Sequence, residues 1–224
     1  MIAGHHSALG RRAASLSFIR SSGSYSSTRE VTNNGSFLKT GIKPSAQTVV
    51  EIVCRITPGS AFQHWAYLLG AQTSNDNANS FSLRGLNTDQ KSPPWRNYRW
   101  GHSNWQDFGI KTDSWSGSSD WHTLNISRAG LVLDGTQYAA TGSVNTSVPN
   151  LEMFVGSINR NGSAQNCIPL DIASLKIWNG TTLRFDATPK VENNIAGLMD
   201  AVSGSFFASG SALNPYQLCE ELAS

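Results

Sequence analysis

The stretch DWHTLNISRAGLVLDGTQY, residues Asp120–Tyr138, decides the fold of this chain. Within it, Leu124 and Ile126 alternate with polar residues, which is the period-two pattern of a strand with one buried face and one solvated face. A second apolar run follows and ends at Asp134-Gly135, a pair that tolerates the positive φ angles of a two-residue hairpin turn. The stretch therefore predicts consecutive antiparallel strands.

Strand-like runs continue on both sides of this stretch, at intervals of roughly 8–12 residues, a spacing typical of an all-β sandwich or barrel. Asn161-Gly162 and Asn179-Gly180 predict two more tight turns. We find no amphipathic helix longer than two turns and no internal repeat. The predicted strands are Thr48–Ile56, Ala66–Gln72, Ser80–Leu86, Trp121–Ser127, Leu131–Tyr138, Leu151–Ile158, Ile172–Trp178, Thr181–Pro189 and Ile195–Asp200.

The composition is that of a single β domain. The chain has 224 residues, of which 14% are charged, and its formal net charge is +2. Apart from Arg11-Arg12, the basic residues are scattered, so the charge does not favour a nucleic-acid partner. No apolar run reaches the length of about 18 residues that a membrane helix needs, so we expect no membrane insertion.

The cysteines favour a reducing compartment. Cys54, Cys167 and Cys219 are too few for a disulfide framework, and no two have the spacing of metal ligands. Cys54 lies in an apolar run, where a thiol behaves as a small core residue. The N-terminal stretch is too polar for the apolar region of a signal peptide, so we expect synthesis in the cytoplasm without a secretory leader.

Several segments resemble one known family. FLKTGIKPSAQTVVEIVCRI (Phe37–Ile56) and the Asp120–Tyr138 stretch resemble strands of laminin G-like domains, which belong to the concanavalin A-like lectin/glucanase superfamily. IASLKIWNGTTLRFDATPK (Ile172–Lys190) and IAGLMDAVSGSFFASG (Ile195–Gly210) resemble the closing strands of the same domains. Domains of this kind occur in gut-bacterial surface proteins and in phage virion proteins.

The resemblance implies an all-β fold, a concanavalin A-like antiparallel jelly-roll sandwich over residues 17–213. Residues 1–16 are then an extended N-terminal arm, and residues 214–224 are a C-terminal tail. Trp121 and Trp178 are interpreted as aromatic residues of the core or its rim, between the two sheets.

No enzyme activity is expected. A catalytic relative would resemble the laminarinases, which carry acidic residues at alternate positions of one strand. Retaining glycosidases need two carboxyl groups only about 5–5.5 Å apart. No strand-like run here has that pattern, and no nucleophile elbow, phosphate loop or zinc-spaced set occurs. We expect no cofactor, with one weak calcium candidate at Asp76, because a single carboxylate is thin for an ion that takes roughly six to eight oxygen ligands.

The strongest binding candidate is the aromatic and polar segment KSPPWRNYRWGHSNWQDFGIKTDSW, residues Lys91–Trp115. A sugar ring stacks its apolar face on an aromatic side chain and hydrogen-bonds through its hydroxyls. Three readings stay open, namely contact with a glycan, contact with a neighbouring subunit, and burial in the core, which the alternating pattern of Tyr98 and Trp100 also allows. The glycan candidates are Trp95, Arg96, Asn97, Arg99, Trp105 and Asp107.

The basic, Ser/Gly-rich N-terminus suggests attachment to a larger assembly, because such an arm usually becomes ordered only on a partner. Arg11, Arg12 and Arg20 are its candidate contacts. We therefore expect a non-catalytic structural or adhesion protein of a phage virion, such as a capsid decoration, head-fibre or tail component, that is oligomeric in the assembly. Its expected partners are other virion proteins and a cell-surface glycan. The alternative is a bacterial surface or secreted carbohydrate-binding module.

Overall fold

The computed structural model describes residues 15–23, 35–60, 66–73, 80–84, 97–102, 108, 120–141, 143 and 148–222. Every regular element in these ranges is a β-strand, and none of the described residues forms a helix long and apolar enough to cross a membrane. The strands are β1 (Ser15–Arg20), β2 (Leu38–Lys39), β3 (Thr48–Ile56), β4 (Tyr67–Gln72), β5 (Ser80–Arg84), β6 (Asn97–Trp100), β7 (His122–Ser127), β8 (Gly130–Leu133), β9 (Thr136–Ala139), β10 (Phe154–Val155), β11 (Ile158–Arg160), β12 (Ser163–Gln165), β13 (Leu170–Asn179), β14 (Thr182–Glu192), β15 (Ile195–Asp200), β16 (Phe206–Ala208) and β17 (Gln217–Leu222).

The strands form two sheets, which confirms the all-β sandwich class. The ten-stranded sheet runs β16-β15-β14-β13-β3-β7-β8-β9, and β1 joins it by pairing with both β13 and β17. The seven-stranded sheet has β4 near its centre. On one side of β4 lie β5 and then β6, and on the other lie β10, paired with β2, and β11, paired with β12. The β4–β11 pair is parallel, whereas the other named pairs are antiparallel.

Apolar side chains from both sheets meet in one core. β3 alternates Val50, Ile52 and Cys54 towards it, as its predicted period of two requires. Trp100 of β6 is fully buried against Phe81, with 5.2 Å between ring centroids. Its indole Nε1 donates to the Thr48 carbonyl oxygen of the opposite sheet at 2.9 Å, so the one polar group of this large side chain is satisfied inside the core.

The turns explain much of the strand register. Asp134 and Gly135 both have positive φ, as do Asn161 and Gly162, so these predicted tight turns are confirmed. The third predicted turn is shifted by one residue. Asn179 pairs with Thr182, and the loop consists of the two residues between them, because a bulge at Ile177–Trp178 moves the register of β13 against β14.

The two ends of the sandwich pair with each other. β1 runs antiparallel to β17 from Ser15, opposite Leu222, to Arg20, opposite Gln217. Six residues of the segment predicted as a C-terminal tail therefore form a strand, and the sandwich begins two residues earlier than the predicted boundary at residue 17. Residues 1–14 of the predicted arm lie outside the described residues.

Candidate binding face

The outer face of the seven-stranded sheet is lined mainly by hydrogen-bonding side chains. Paired residues in a sheet share a face, and alternate residues along a strand return to it. One row across the sheet is Lys39, Phe154, Gly70, Ser82 and Arg99. We call this surface the polar face, and its members in the described strands are Lys39, Tyr67, Gly70, Gln72, Ser80, Ser82, Arg84, Arg99, Phe154, Ile158, Arg160, Ser163 and Gln165.

Charge is divided unequally between the two sheets. The seven strands of the smaller sheet contain Lys39, Arg84, Arg99 and Arg160, and no Asp or Glu occurs within their bounds. All four cations belong to the polar face. The strands of the ten-stranded sheet, in contrast, carry both signs of charge, with carboxylates on β3, β13, β14, β15 and β17. The polar face is therefore the more electropositive of the two strand surfaces.

Arg160, at the end of β11, is held by two amide side chains. Its Nη1 donates to Gln165 Oε1 at 2.9 Å, and its Nη2 donates to Gln72 Oε1 at 3.3 Å. Among the described residues nothing accepts a hydrogen bond from its Nε, although that atom is buried. Both hydrogen bonds are to neutral oxygens, so they orient the guanidinium group without cancelling its charge.

Arg84, at the end of β5, lies opposite Tyr67 of β4, with its guanidinium carbon 5.9 Å from the centre of the Tyr67 ring. Burial lowers the pKa of Arg84. The contact with the Tyr67 hydroxyl opposes that shift, and the positive charge of Arg160 adds to it. In the register, Arg84 lies opposite Tyr67 and Arg160 lies opposite Gln72, so the two arginines flank the two ends of β4.

Arg99, one of the predicted glycan contacts, is buried at the β6 end of the polar face. Its Nε donates to the carbonyl oxygen of His102 at 2.8 Å. Burial lowers the pKa of His102, and the charges of Arg128 and Arg99 lower it further. Arg99 therefore belongs to a basic cluster with His102 and Arg128 that extends beyond the polar face.

The other predicted site residues have varied outcomes. Asn97 begins β6, beside Arg84 of β5 in the register. Trp100, for which burial was one open reading, is a core residue. Outside the described residues lie Trp95, Arg96, Trp105, Asp107, the calcium candidate Asp76, and the arm residues Arg11 and Arg12. Their predicted roles stay predictions.

Arg20, assigned from the sequence to the assembly arm, lies in β1 within the sandwich. Its guanidinium group binds both carboxylate oxygens of Asp171, at 2.9 and 2.8 Å. This hydrogen bonding raises the pKa of Arg20. The alternating pattern of the first strand, with Phe18 and Arg20 on one face and Ile19 on the other, accounts for this position.

A charged cluster centred on Asp171 covers the outer face of the ten-stranded sheet. The fully buried carboxylate of Asp171 also accepts from Arg55 Nε at 2.9 Å and from the Thr57 hydroxyl at 3.0 Å. Arg55 reaches on to Glu221 and stacks over the Trp121 ring, 4.5 Å from its centre. Trp121 therefore lies on this outer face and not between the sheets. The mutual pairing of these groups indicates a structural role, namely joining β1, β3, β13 and β17.

Sequence reasoning did not identify Lys39, Arg84 and Arg160 as candidate binding residues. Arg84 ends the run SFSLR, in which apolar Phe81 and Leu83 alternate with serines, so the period of two already placed it on the outer face. No comparable signal placed Arg160 on the same face, because that position depends on the pairing of β11 with β4.

The described residues contain no group of three or more His, Cys, Asp or Glu side chains able to hold a metal ion. A scan against protein-family models and a search of curated proteins found no match for this chain.

Proposed function

We propose that this protein is a non-catalytic structural or adhesion protein of a phage virion, built on a glycan-binding sandwich of the concanavalin A-like, laminin G-like type. The observation that carries the proposal is the polar face. The outer side of one whole sheet is lined by hydroxyl, amide and guanidinium groups. Gln72, Ser82 and Arg99 are buried there, whereas Arg84 and Arg160 are half-buried and Lys39 is exposed. Such groups form the hydrogen bonds that sugar hydroxyls require.

The aromatic component of a sugar site would come from the segment between β5 and β6. That segment leaves the sheet after Arg84 and returns at Asn97, so its two ends lie at adjacent positions on one end of the sheet. Trp95 and Arg96 belong to it. A stacking side chain supplied there would add apolar contact to the hydrogen bonds of the polar face.

The charge pattern supports a binding role without catalysis. Glycoside hydrolysis in most families needs two carboxyl groups facing one bond, about 5–5.5 or about 6.5–9.5 Å apart according to mechanism. The described strands of the polar face supply no carboxyl group at all. Guanidinium and amide groups bind sugars and their charged substituents, but they do not act as the acid and nucleophile pair of such enzymes.

The virion part of the proposal rests on the arm. β1 begins at Ser15, so the basic Ser/Gly-rich segment before it joins the sandwich through a strand that the Asp171 cluster holds on its outer face. Binding of this arm to a particle would therefore attach the whole domain to that particle through β1.

The first test is co-sedimentation of the purified chain with its parent particle, comparing the full chain with a variant that lacks residues 1–14. The deletion stops there because β1 carries Phe18, Ile19 and Arg20. Loss of co-sedimentation with an unchanged unfolding midpoint is expected. If neither form binds the particle, the virion part of the proposal is refuted.

The second test is a glycan array probed with the full chain and with Trp95→Ala and Trp105→Ala. Binding that is lost in either variant, while circular dichroism stays unchanged, is the expected result. Binding to glycans without binding to particles would favour a bacterial surface or secreted carbohydrate-binding module. No binding to any glycan would contradict the glycan part.

A further inference from the structure

Beyond the Asp171 cluster, the outer face of the ten-stranded sheet is formed at its centre by β13 and β3. Their outward side chains lie opposite one another in three rows, and all six are half-buried. Side chains in the middle of a sheet are shielded by their lateral neighbours, so this exposure indicates that the surface meets solvent. We call it the central strip, and its rows are Ser174 with Val53, Lys176 with Glu51, and Trp178 with Val49.

Half of the central strip is apolar, although the solvated face of an antiparallel sheet usually carries polar residues. Val49 and Val53 point away from the core. Trp178, which the sequence placed at the core or its rim, also lies on the outer face, because it pairs with Val49 and alternates with the core residue Ile177. Tryptophan is enriched among the residues that dominate protein interfaces. The strip therefore offers apolar area that a flat partner can bury.

The two charges of the central strip stand side by side, with Lys176 opposite Glu51 in the register. Neither side chain forms an ion pair with another of the described residues. The same row continues to Asp186 of β14 on one side and to Asn125 of β7 on the other. In order across the sheet, the row is acidic, basic, acidic and neutral.

A second copy of the chain is complementary to this row. If a two-fold axis runs along the strands between β13 and β3, each row faces the same row of the second copy in reverse order. Lys176 then faces Glu51 of the second copy, Trp178 faces its Val49, and both contacts occur twice. Sheets that pack face to face keep their strands within about 30° of each other, so the rows stay matched near the axis.

We propose that the chain forms a two-fold dimer through the central strip, with the two ten-stranded sheets back to back. The apolar side chains supply most of the affinity, and the Lys176–Glu51 contacts select the partner and its register, because charges across an interface contribute mainly to specificity. The inference goes beyond the proposed function and does not depend on it. In such a dimer the two polar faces point in opposite directions.

The test is analytical ultracentrifugation of the full chain over a wide range of concentrations, where the unaltered chain should sediment as a dimer. Lys176→Glu and Glu51→Lys should each raise the dissociation constant about tenfold or more, because each places like charges face to face at two symmetric positions. Lys39→Glu is the matched control, since it makes the same charge change at an exposed residue of the other sheet. It should leave the dissociation constant unchanged.

Mixing the two variants gives the sharpest measurement. In a mixed dimer, the two acidic side chains of the Lys176→Glu chain face the two basic side chains of the Glu51→Lys chain. The mixture should therefore dimerise although neither variant does so alone. Lys176 and Glu51 are also neighbours within one chain, so each substitution can lower the stability of its own fold. Mixing leaves those internal contacts unchanged, so a restored dimer must come from contacts between chains.

Thermal unfolding of each variant shows whether it is folded. If a charge variant does not fold, Trp178→Ala serves in its place, and it should weaken the dimer without changing the charges. An unaltered chain that stays monomeric at every concentration would overturn the proposal. A dimer that persists equally in both charge variants, or a mixture that stays monomeric, would overturn it as well. A monomeric chain whose co-sedimentation with the parent particle is lost in both variants would assign the central strip to a particle protein instead of a second copy.

Discussion

Replacing Asp171 with alanine should destabilise the fold by about 3–5 kcal/mol, the range expected when one partner is removed from a buried ion pair. The Asp171 side chain is 0% exposed and accepts hydrogen bonds from Arg20, Arg55 and Thr57. Without it, the Arg55 side chain, which is only 6% exposed, loses its buried counter-ion. Glu221 would remain as a partner, so the loss should not exceed this range.

Arg20 provides the comparison that tests this reasoning. Its side chain is 33% exposed, so water can solvate the guanidinium group once Asp171 is gone, and its own pairing is worth no more than about 1 kcal/mol. Arg20→Gln should therefore cost several-fold less than Asp171→Ala. Asp171→Asn keeps the shape of the side chain and one acceptor oxygen, and so isolates the effect of charge.

Urea unfolding followed by tryptophan fluorescence and circular dichroism gives the free energies, provided that the two signals coincide and the m-value is unchanged. A loss below about 1 kcal/mol for Asp171→Ala, in the range of an exposed ion pair, would refute the view that the buried carboxylate holds β1, β3 and β13 together. Equal losses for Arg20→Gln and Asp171→Ala would refute the distinction between the buried and the exposed partner.

Three further predictions concern pH, thiol reactivity and backbone conformation. Burial disfavours the Asp200 carboxylate, but its hydrogen bonds outweigh that effect and hold its pKa below the usual value. The carboxylate therefore stabilises the fold above its unfolded pKa of about 4, and this stabilisation is lost in more acid solution. In urea titrations, Asp200→Asn should lower the free energy of unfolding by about 1–3 kcal/mol at pH 7 and by progressively less below pH 4, whereas a loss independent of pH would contradict this. Burial raises the pKa of Cys54 and of Cys167, whereas Cys219 is partly exposed, so a thiol reagent should label Cys219 first in the native protein. Mass spectrometry that finds the earliest label on Cys54 would show that this thiol is not buried. Gly130 has φ +136°, and an added Cβ would lie 2.1 Å from a carbonyl oxygen of β9, so Gly130→Ala should lower the free energy of unfolding by about 2–4 kcal/mol. An unchanged melting temperature would contradict the β8–β9 register.

The longer strands could be predicted from the sequence because their signal is local. TVVEIVCRI and IAGLMD coincide with β3 and β15 over their full lengths. The alternating pattern alone did not predict β2, β12 or β16, since two or three residues are too few to establish a period of two.

β17 escaped prediction for a different reason. Its sequence QLCEEL has the charge of a solvated tail, and it becomes a strand because β1 pairs with it and because Glu221 meets Arg55, which lies 166 positions earlier in the chain. Contacts of this separation leave no periodic signal. The same limit applies to the polar face, where the parallel pairing of β11 with β4 places Arg160 beside Gln72, which lies 88 positions earlier in the chain.

The two layers of the sandwich differ in a way that bears on the proposed function. β1, through which residues 1–14 join the domain, belongs to the ten-stranded sheet, and the unbalanced positive charge belongs to the outer face of the seven-stranded sheet. Attachment through the arm would therefore hold the domain by the layer opposite to the polar face. Arg20 and Asp171 connect β1 to β13, and Arg55 extends the connection to β3, so a pull on the arm would be resisted by central strands of the sheet. An adhesion domain needs this separation, because a surface that contacts the particle cannot also bind a glycan.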